Sequence, residues 1–485
     1  MNYRMIAHLL TRTLRIVAAF MLPALIVSLV CHEYQSAVAF AVTMALMMAM
    51  GVPSYFKKPS NTTLFAREGF VLVALAWIIV SITGALPFYI SGSIPSFIDC
   101  IFETISGFTT TGASILTDVE ALPMGMLYWR SFTHWLGGMG VLVFLLAIST
   151  FASGSGDSIF IMRAESPGPQ VSKLVPRTRE TAKILYSIYI VITAAQFILM
   201  VIGGVPAFDS LLITFGTVGT GGFGVKNDSL MSYSPYIQWV VTVFMAMCGT
   251  NFGIYYLILR RQFKRAVLDE ELRIYAVTML IATVIVTANI MPLYGGSFSE
   301  SLRHAAFQVS SIMTSTGFSS TDYEIWPQLC HALMMVLMLI GASAGSTGGG
   351  IKCSRVIILF RSLCGNVTKM LHPNVIKPVK MDGVSVPKET VSGVHAFVTA
   401  YGLIAIISVL LVSLDGFSFE TNVSSVLACL SNIGPGFNVT GPTGNYAAFS
   451  PGIKVVLSLV MLIGRLEIFP MMIIFMPGVW TKARR

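Results

Sequence analysis

The sequence predicts an all-α membrane protein in which two N-terminal transmembrane helices precede four tandem repeats of one unit. That unit is a helix, a loop that dips back, and a second helix. Three observations predict it: a strongly apolar composition, ten apolar runs of spanning length, and a Gly- and Thr-rich tetrad that recurs four times on one side.

Of 485 residues, 55% are hydrophobic and 11% charged, with a mean hydropathy of +0.77. Soluble globular chains carry about 25% charged residues. Crossing roughly 30 Å of hydrocarbon takes about 20 apolar residues. Such runs lie near 13–31, 37–52, 70–91, 127–150, 183–204, 234–259, 273–293, 330–342 continuing at 351–363, 394–414 and 453–480. The first begins after Arg4, Arg12 and Arg15 and has no small-residue cleavage site, so no removable signal peptide is expected.

Charge sets the orientation. Segments 1–15, 53–68, 151–183, 260–273, 352–388 and 482–485 hold 26 of the 31 Lys and Arg. The opposite segments hold Arg130, Lys226, Arg303 and Lys454, and Arg465 lies inside the last run. The positive-inside rule therefore places both termini in the cytoplasm. Twelve of the 22 acidic residues fall on the outer side, where they would concentrate cations. The net charge of +9 follows from membrane orientation, and no nucleic-acid partner is expected. The seven cysteines have no paired spacing and read as packed apolar residues.

Four outer segments share a layout: a helix exits, a short amphipathic stretch follows, then the tetrad, then a return helix. The tetrad regions are Thr109-Thr110-Thr111-Gly112-Ala113-Ser114, Thr217-Val218-Gly219-Thr220-Gly221-Gly222, Thr314-Ser315-Thr316-Gly317-Phe318-Ser319 and Ser431-Asn432-Ile433-Gly434-Pro435-Gly436. With Gly112, Gly219, Gly317 and Gly434 taken as equivalent, the spacings are 107, 98 and 117 residues. Gly221 is an alternative register in the second copy. The repeat predicts units at 69–182, 183–272, 273–392 and 393–485 after an N-terminal pair of helices at 1–68.

Residues of these types suit a dehydrated cation. Successive inward carbonyls can replace a hydration shell, and glycine tolerates the backbone angles required. Thr and Ser add hydroxyl oxygens without bulk. A short helix before each tetrad would aim its partial negative C-terminus at the ion. Irregular backbone at membrane depth must be enclosed by protein or line water. The expected architecture is thus four helix–pore-loop–helix repeats around one pore that conducts a monovalent cation, most simply K+.

On these tetrads the sequence resembles the Trk/Ktr/HKT superfamily of potassium transporters, and within it the bacterial TrkH members. The resemblance covers two extra N-terminal helices and four repeats. It implies a pseudo-fourfold arrangement, potassium uptake across the bacterial inner membrane, a homodimer, and a cytoplasmic nucleotide-binding regulatory ring of the TrkA type, with no cofactor bound by this chain. It also implies filter carbonyls from Thr110, Thr111, Gly112, Val218, Gly219, Thr220, Thr316, Gly317, Ile433 and Gly434, with K+ as the metal ion held there. One shared glycine per copy, against two in the Thr-Val-Gly-Tyr-Gly motif of potassium channels, predicts that K+ and Rb+ permeate alike. Na+ should be excluded less strongly than in such channels.

In the third repeat, Gly341-Ala342-Ser343-Ala344-Gly345-Ser346-Thr347-Gly348-Gly349-Gly350 interrupts the return helix, since five glycines in ten residues cannot hold a helix. The segment, above all Gly345, Ser346, Thr347, Gly348, Gly349 and Gly350, is expected to act as a gate. Close helix packing through small residues is the other reading. Arg465 is costly at membrane depth unless it meets water or a partner. It would bond loop carbonyls and repel cations, or else pair with Glu467 or snorkel toward the inner surface. His134 reads as a packed histidine or a proton relay. The basic stretch 352–388 would dock a partner or anchor to membrane lipid.

The competing class is a symporter coupled to a proton or sodium gradient. Such folds usually carry inverted repeats, whereas these four units run in one direction. The seven histidines form no metal-ligand pair and no nucleophile–base set is evident, so no enzyme is expected.

Overall fold

The computed structural model describes residues 1–56, 65–138, 140, 178–375 and 377–480. Most of the expected inner connection 151–183 lies outside the described residues. At the N-terminus, Tyr3–Phe20 continues past Met21 into Leu22–Val30, which has Pro23 in its first turn. Tyr34–Phe56 packs back against both.

After this pair one order of elements occurs four times. A long helix (Ala66–Ile90, Thr178–Ile202, Glu270–Ile290, Lys388–Val412) leads to a short helix (Phe97–Phe108, Ala207–Val218, Phe298–Met313, Phe419–Leu430). An irregular segment then leads to a return helix (Met124–Gly138, Pro235–Cys248, Gln328–Ile340, Pro451–Arg465).

Local chemistry explains the short helices. Ser96, Ser297 and Ser418 cap three of them by accepting from the N–H of Asp99, Glu300 and Thr421. Pro206 occupies the cap of the remaining one. Every first turn carries a carboxylate, Asp99, Asp209, Glu300 or Glu420, which complements the positive helix N-terminus.

Among the described residues six helices are long and apolar enough to span a membrane: Tyr3–Val30, Tyr34–Val52, Arg67–Ile90, Ile184–Ile202, Glu270–Tyr294 and Lys388–Asp415. The shortfall from the ten apolar runs lies in the return helices. The first is described as Met124–Gly138, and most of the rest of its apolar run lies outside the described residues. The second bends by 90° between Cys248 and Phe252. The third stops at Ile340, and the fourth stops at Arg465 before a short helix at Phe469–Ile474. Hydropathy counts apolar residues on both sides of a break as one run, so it misses those of the second and fourth return helices, whereas glycines mark that of the third.

The largest buried cluster joins the N-terminal helices to the first, second and fourth copies. Within it Trp129 is fully buried and donates its indole N–H to the Gly84 carbonyl at 3.0 Å. By contrast, Leu403, Ile406, Ile407 and Leu410 of the last long helix stay exposed, an apolar face suited to lipid. Beyond Cys353–Leu371 the basic stretch forms a two-stranded hairpin, Lys380–Met381 with Val384–Ser385. It turns through Asp382 and Gly383, both at positive φ, as a tight hairpin requires.

Candidate functional site

Each short helix ends in the same way. Thr109, Gly219, Thr314 and Ser431 are the C-caps. Next come Thr110, Thr220, Ser315 and Asn432, all left-handed at φ 53°, 53°, 55° and 54°. The following N–H groups, of Thr111, Gly221, Thr316 and Ile433, donate back to the carbonyls of Ser106, Gly216, Ser311 and Ala428 at 2.8–2.9 Å. This is the Schellman ending of a helix, here with a non-glycine residue at the left-handed position. A glycine follows, Gly112, Gly222, Gly317 or Gly434, at φ 81°, 78°, 84° and 93°.

The register of the second copy is therefore corrected. Its left-handed glycine is Gly222, neither Gly219 nor Gly221. Val218 still belongs to the helix and Gly219 occupies the place of Thr109. Thr220 matches Thr110, and Gly221 matches Thr111. A Gly-x-Gly-Gly string offers three candidate positions, and only the end of the helix decides among them. The other expected residues of the tetrads, Thr110, Thr111, Gly112, Thr316, Gly317, Ile433 and Gly434, all lie in these segments, joined by Ser315 and Asn432.

The four segments meet one another. A methyl group on Gly112 would lie 2.1 Å from the Gly221 peptide oxygen, and on Gly222 it would lie 2.0 Å from that of Thr316. On Gly317 it would lie 2.0 Å from that of Ile433, and on Gly434 it would lie 2.5 Å from that of Thr111. The contacts thus pass from each copy to the next and close on the first. All four glycines also line one polar cavity, with Arg130, Asn227 and Ser319. The Thr111 hydroxyl bonds to that of Thr109 at 2.7 Å and accepts from Asn432 at 2.9 Å. Thr316 pairs likewise with Thr314 at 2.7 Å. These hydroxyls are engaged inside the protein.

Buried side chains brace the segments. Glu103 accepts from Arg130 Nε at 2.6 Å and from the Ile115 N–H at 2.9 Å. Arg130 also donates to the Gly224 carbonyl at 3.0 Å and lies 3.6 Å from the Phe223 ring centre. The pair ties the first short helix to the second irregular segment. Tyr446 and Tyr323 donate to the carbonyls of Gly434 and Gly436 at 2.7 and 2.9 Å.

Against this ring lies the interrupting loop. Methyl groups on Gly348 and Gly349 would lie 2.7 and 2.3 Å from the peptide oxygens of Thr314 and Ser431, two of the helix ends. The Gly349 N–H donates to Ser315 Oγ at 2.6 Å. The loop also contacts the bend of the second return helix, with Ser343 N–H on Gly249 O at 3.0 Å and Phe252 N–H on Gly345 O at 3.1 Å. Arg465 bridges from the fourth copy, donating to Thr347 O and Gly137 O at 2.8 Å each. Its postulated partner Glu467 instead pairs with Arg355. Lys352, grouped by sequence with the cytoplasmic basic stretch, is buried and donates to Gly348 O.

Sequence reasoning missed two parts of this assembly. Glu271, in the first turn of its long helix, accepts from the N–H groups of Ala344 and Ser354 at 2.7 and 3.0 Å, and so fastens both flanks of the loop. The bend at Gly249–Asn251 has Asn251 as the N-cap of Phe252–Leu259. A glycine two residues before an asparagine, in the middle of an apolar run, was the available signal.

Apolar spans with interrupted return helices, meeting at these four glycines, suit a membrane ion transporter, and the family, relatives and solved neighbour agree that the chain is one and not an enzyme. The family model described as TrkH, cation transport protein, matches residues 35–480. The chain belongs to that family. It is 34% identical over 463 residues to the Trk system potassium uptake protein TrkH of Salmonella typhimurium, which covers 94% of this chain and 95% of that one. It is 29% identical over 486 residues to the Trk system potassium uptake protein TrkG of Escherichia coli, covering 99% of each. The crystal structure of the potassium transporter TrkH from Vibrio parahaemolyticus superposes with a TM-score of 0.89 at 29% identity, over 99% of this chain and 100% of that one.

Proposed function

We propose that this chain takes up potassium across the bacterial inner membrane through a channel-like pore. Its selectivity filter is made of the peptide oxygens of Thr111, Gly221, Thr316 and Ile433, with those of the adjoining glycines. The observation that carries this reading is the closed circuit of contacts from each left-handed glycine to the next copy's peptide oxygen. Four such strands in pseudo-fourfold arrangement, one from each of the repeats at 69–182, 183–272, 273–392 and 393–485, would replace the water around a dehydrated ion. Four short helices end at these strands, and their C-termini would add partial negative charge there.

The loop 341–350 and Arg465 form the gate in this reading. The loop lies against two helix ends, and a fixed guanidinium there opposes a cation. Both termini are cytoplasmic, the assembly is a homodimer set in lipid, and a TrkA-type cytoplasmic ring regulates opening; the relatives named for a Trk system support that partner. Rubidium uptake into proteoliposomes tests the reading. Deleting residues 345–350 should raise the rate, and an unchanged rate would remove the gate from the account.

A further inference from the structure

His134 stands behind the second tetrad in a way that the general account does not use. It lies on the first return helix and is fully buried. Its Nδ1 is 3.0 Å from the carbonyl of Gly107 in the last turn of the first short helix, so Nδ1 carries the proton and donates. Its Nε2 is buried without a partner, and its ring centre is 4.0 Å from that of Phe223.

Gly221 is a glycine for want of space. Its backbone is not left-handed, yet a methyl group there would lie 2.1 Å from His134 Nδ1, 2.2 Å from Cγ and 2.6 Å from Cε1. The matching positions in the other copies, Thr111, Thr316 and Ile433, all carry side chains. Gly219 is constrained by the same turn of helix, since a methyl group on it would lie 2.4 Å from the His134 carbonyl oxygen. The imidazole thus fills the volume that a side chain fills elsewhere. That accounts for the extra glycines of the second tetrad.

We propose that His134 is a selectivity-positioning residue: its ring, anchored on Gly107, sets the peptide of Gly221, whose oxygen faces Gly112. This rests on the reading of those oxygens as the filter. A rigid ring held at one end fixes the peptide against it. Without the ring, the Gly221 peptide gains freedom while the other three strands keep their own side-chain packing.

The test compares His134→Ala, His134→Asn, Gly221→Ala and the double variant His134→Ala/Gly221→Ala in proteoliposomes, reading the Rb+-to-Na+ flux ratio beside thermal stability. His134→Ala should lower the ratio severalfold while Rb+ flux persists. His134→Asn, which keeps a donor in the place of Nδ1 but lacks the ring, should fall between. Gly221→Ala should lower the ratio because its methyl meets the ring, and the double variant should recover much of the loss. Should His134→Ala not fold, the pair Gly221→Ala and the double variant decides. An unchanged ratio in His134→Ala, a tolerated Gly221→Ala, or equal losses in the single and double variants would overturn the proposal. Gly317→Ser serves as a separate control: if it leaves the ratio unchanged, the filter reading itself fails, whereas its loss beside an indifferent His134 condemns only the positioning role.

Discussion

Arg465 donates to the peptide oxygen of Thr347 at 2.8 Å, joining the end of the fourth return helix to the loop that interrupts the third. A second bond from the same guanidinium reaches Gly137 of the first return helix, also at 2.8 Å. One charged group therefore holds three copies in register beneath the ring. On the proposed gate this bracket is what keeps the loop in place.

Replacing Arg465 by Ala removes both bonds and the charge. Hydrogen bonds to charged groups contribute about 1.5–3 kcal/mol each, and about 1.4 kcal/mol is tenfold in an equilibrium. Rubidium influx should therefore rise by about tenfold or more if loop release limits it. Arg465→Lys should give a smaller rise, because an ammonium is a single point of donation and not a fork.

Glu271 acts on the same loop from the other side. Its carboxylate accepts from both Ala344 and Ser354, so Glu271→Ala should loosen the loop and raise rubidium influx, and Glu271→Gln should do so less. Combined with Arg465→Ala the effects should fall short of the sum, as expected of two groups holding one element.

The ring predicts a size limit at its glycines. A methyl group on Gly317 would lie 2.0 Å from the Ile433 oxygen, at a φ of 84° that side chains rarely adopt. Gly317→Ala should lower the preference for K+ over Na+ in paired flux measurements. The same change at Gly383, in the cytoplasmic hairpin turn with open space around it, should leave that preference unaltered.

Outside the membrane, Glu324 accepts from the Asn438 N–H at 2.7 Å. Burial raises its carboxyl above the ordinary value, with Asp322 and Glu420 adding to the rise and the Asn438 bond and His331 opposing it. A raised carboxyl takes up its proton at a higher pH than an ordinary carboxyl does. As outer pH falls, Glu324 should be an early carboxylate to lose its charge, weakening the field that gathers cations. Influx should decline on outer acidification, and Glu324→Gln should flatten the upper part of that decline.

Much of this assembly is legible in the sequence. The short amphipathic stretch before each tetrad announces the short helices, and five glycines in ten residues announce the break at 341–350. The register of the second tetrad is not legible, because His134, distant in sequence, makes Gly219 and Gly221 glycine for reasons of packing and so hides Gly222. The break after Arg465 is not legible either. It runs through Glu467 and Ile468 at positive φ, where no glycine marks the turn. Glu271 reads as one more charge at the cytoplasmic edge until the fold brings the loop to it.

Single-channel recording of the purified chain in planar bilayers, under K+, Rb+ and Na+ gradients, tests the central claim most directly. Discrete unitary currents should appear, with nearly equal K+ and Rb+ permeabilities and a lower Na+ permeability that rises in Gly317→Ala. Flux without unitary currents, moving only with a proton or sodium gradient, would contradict it.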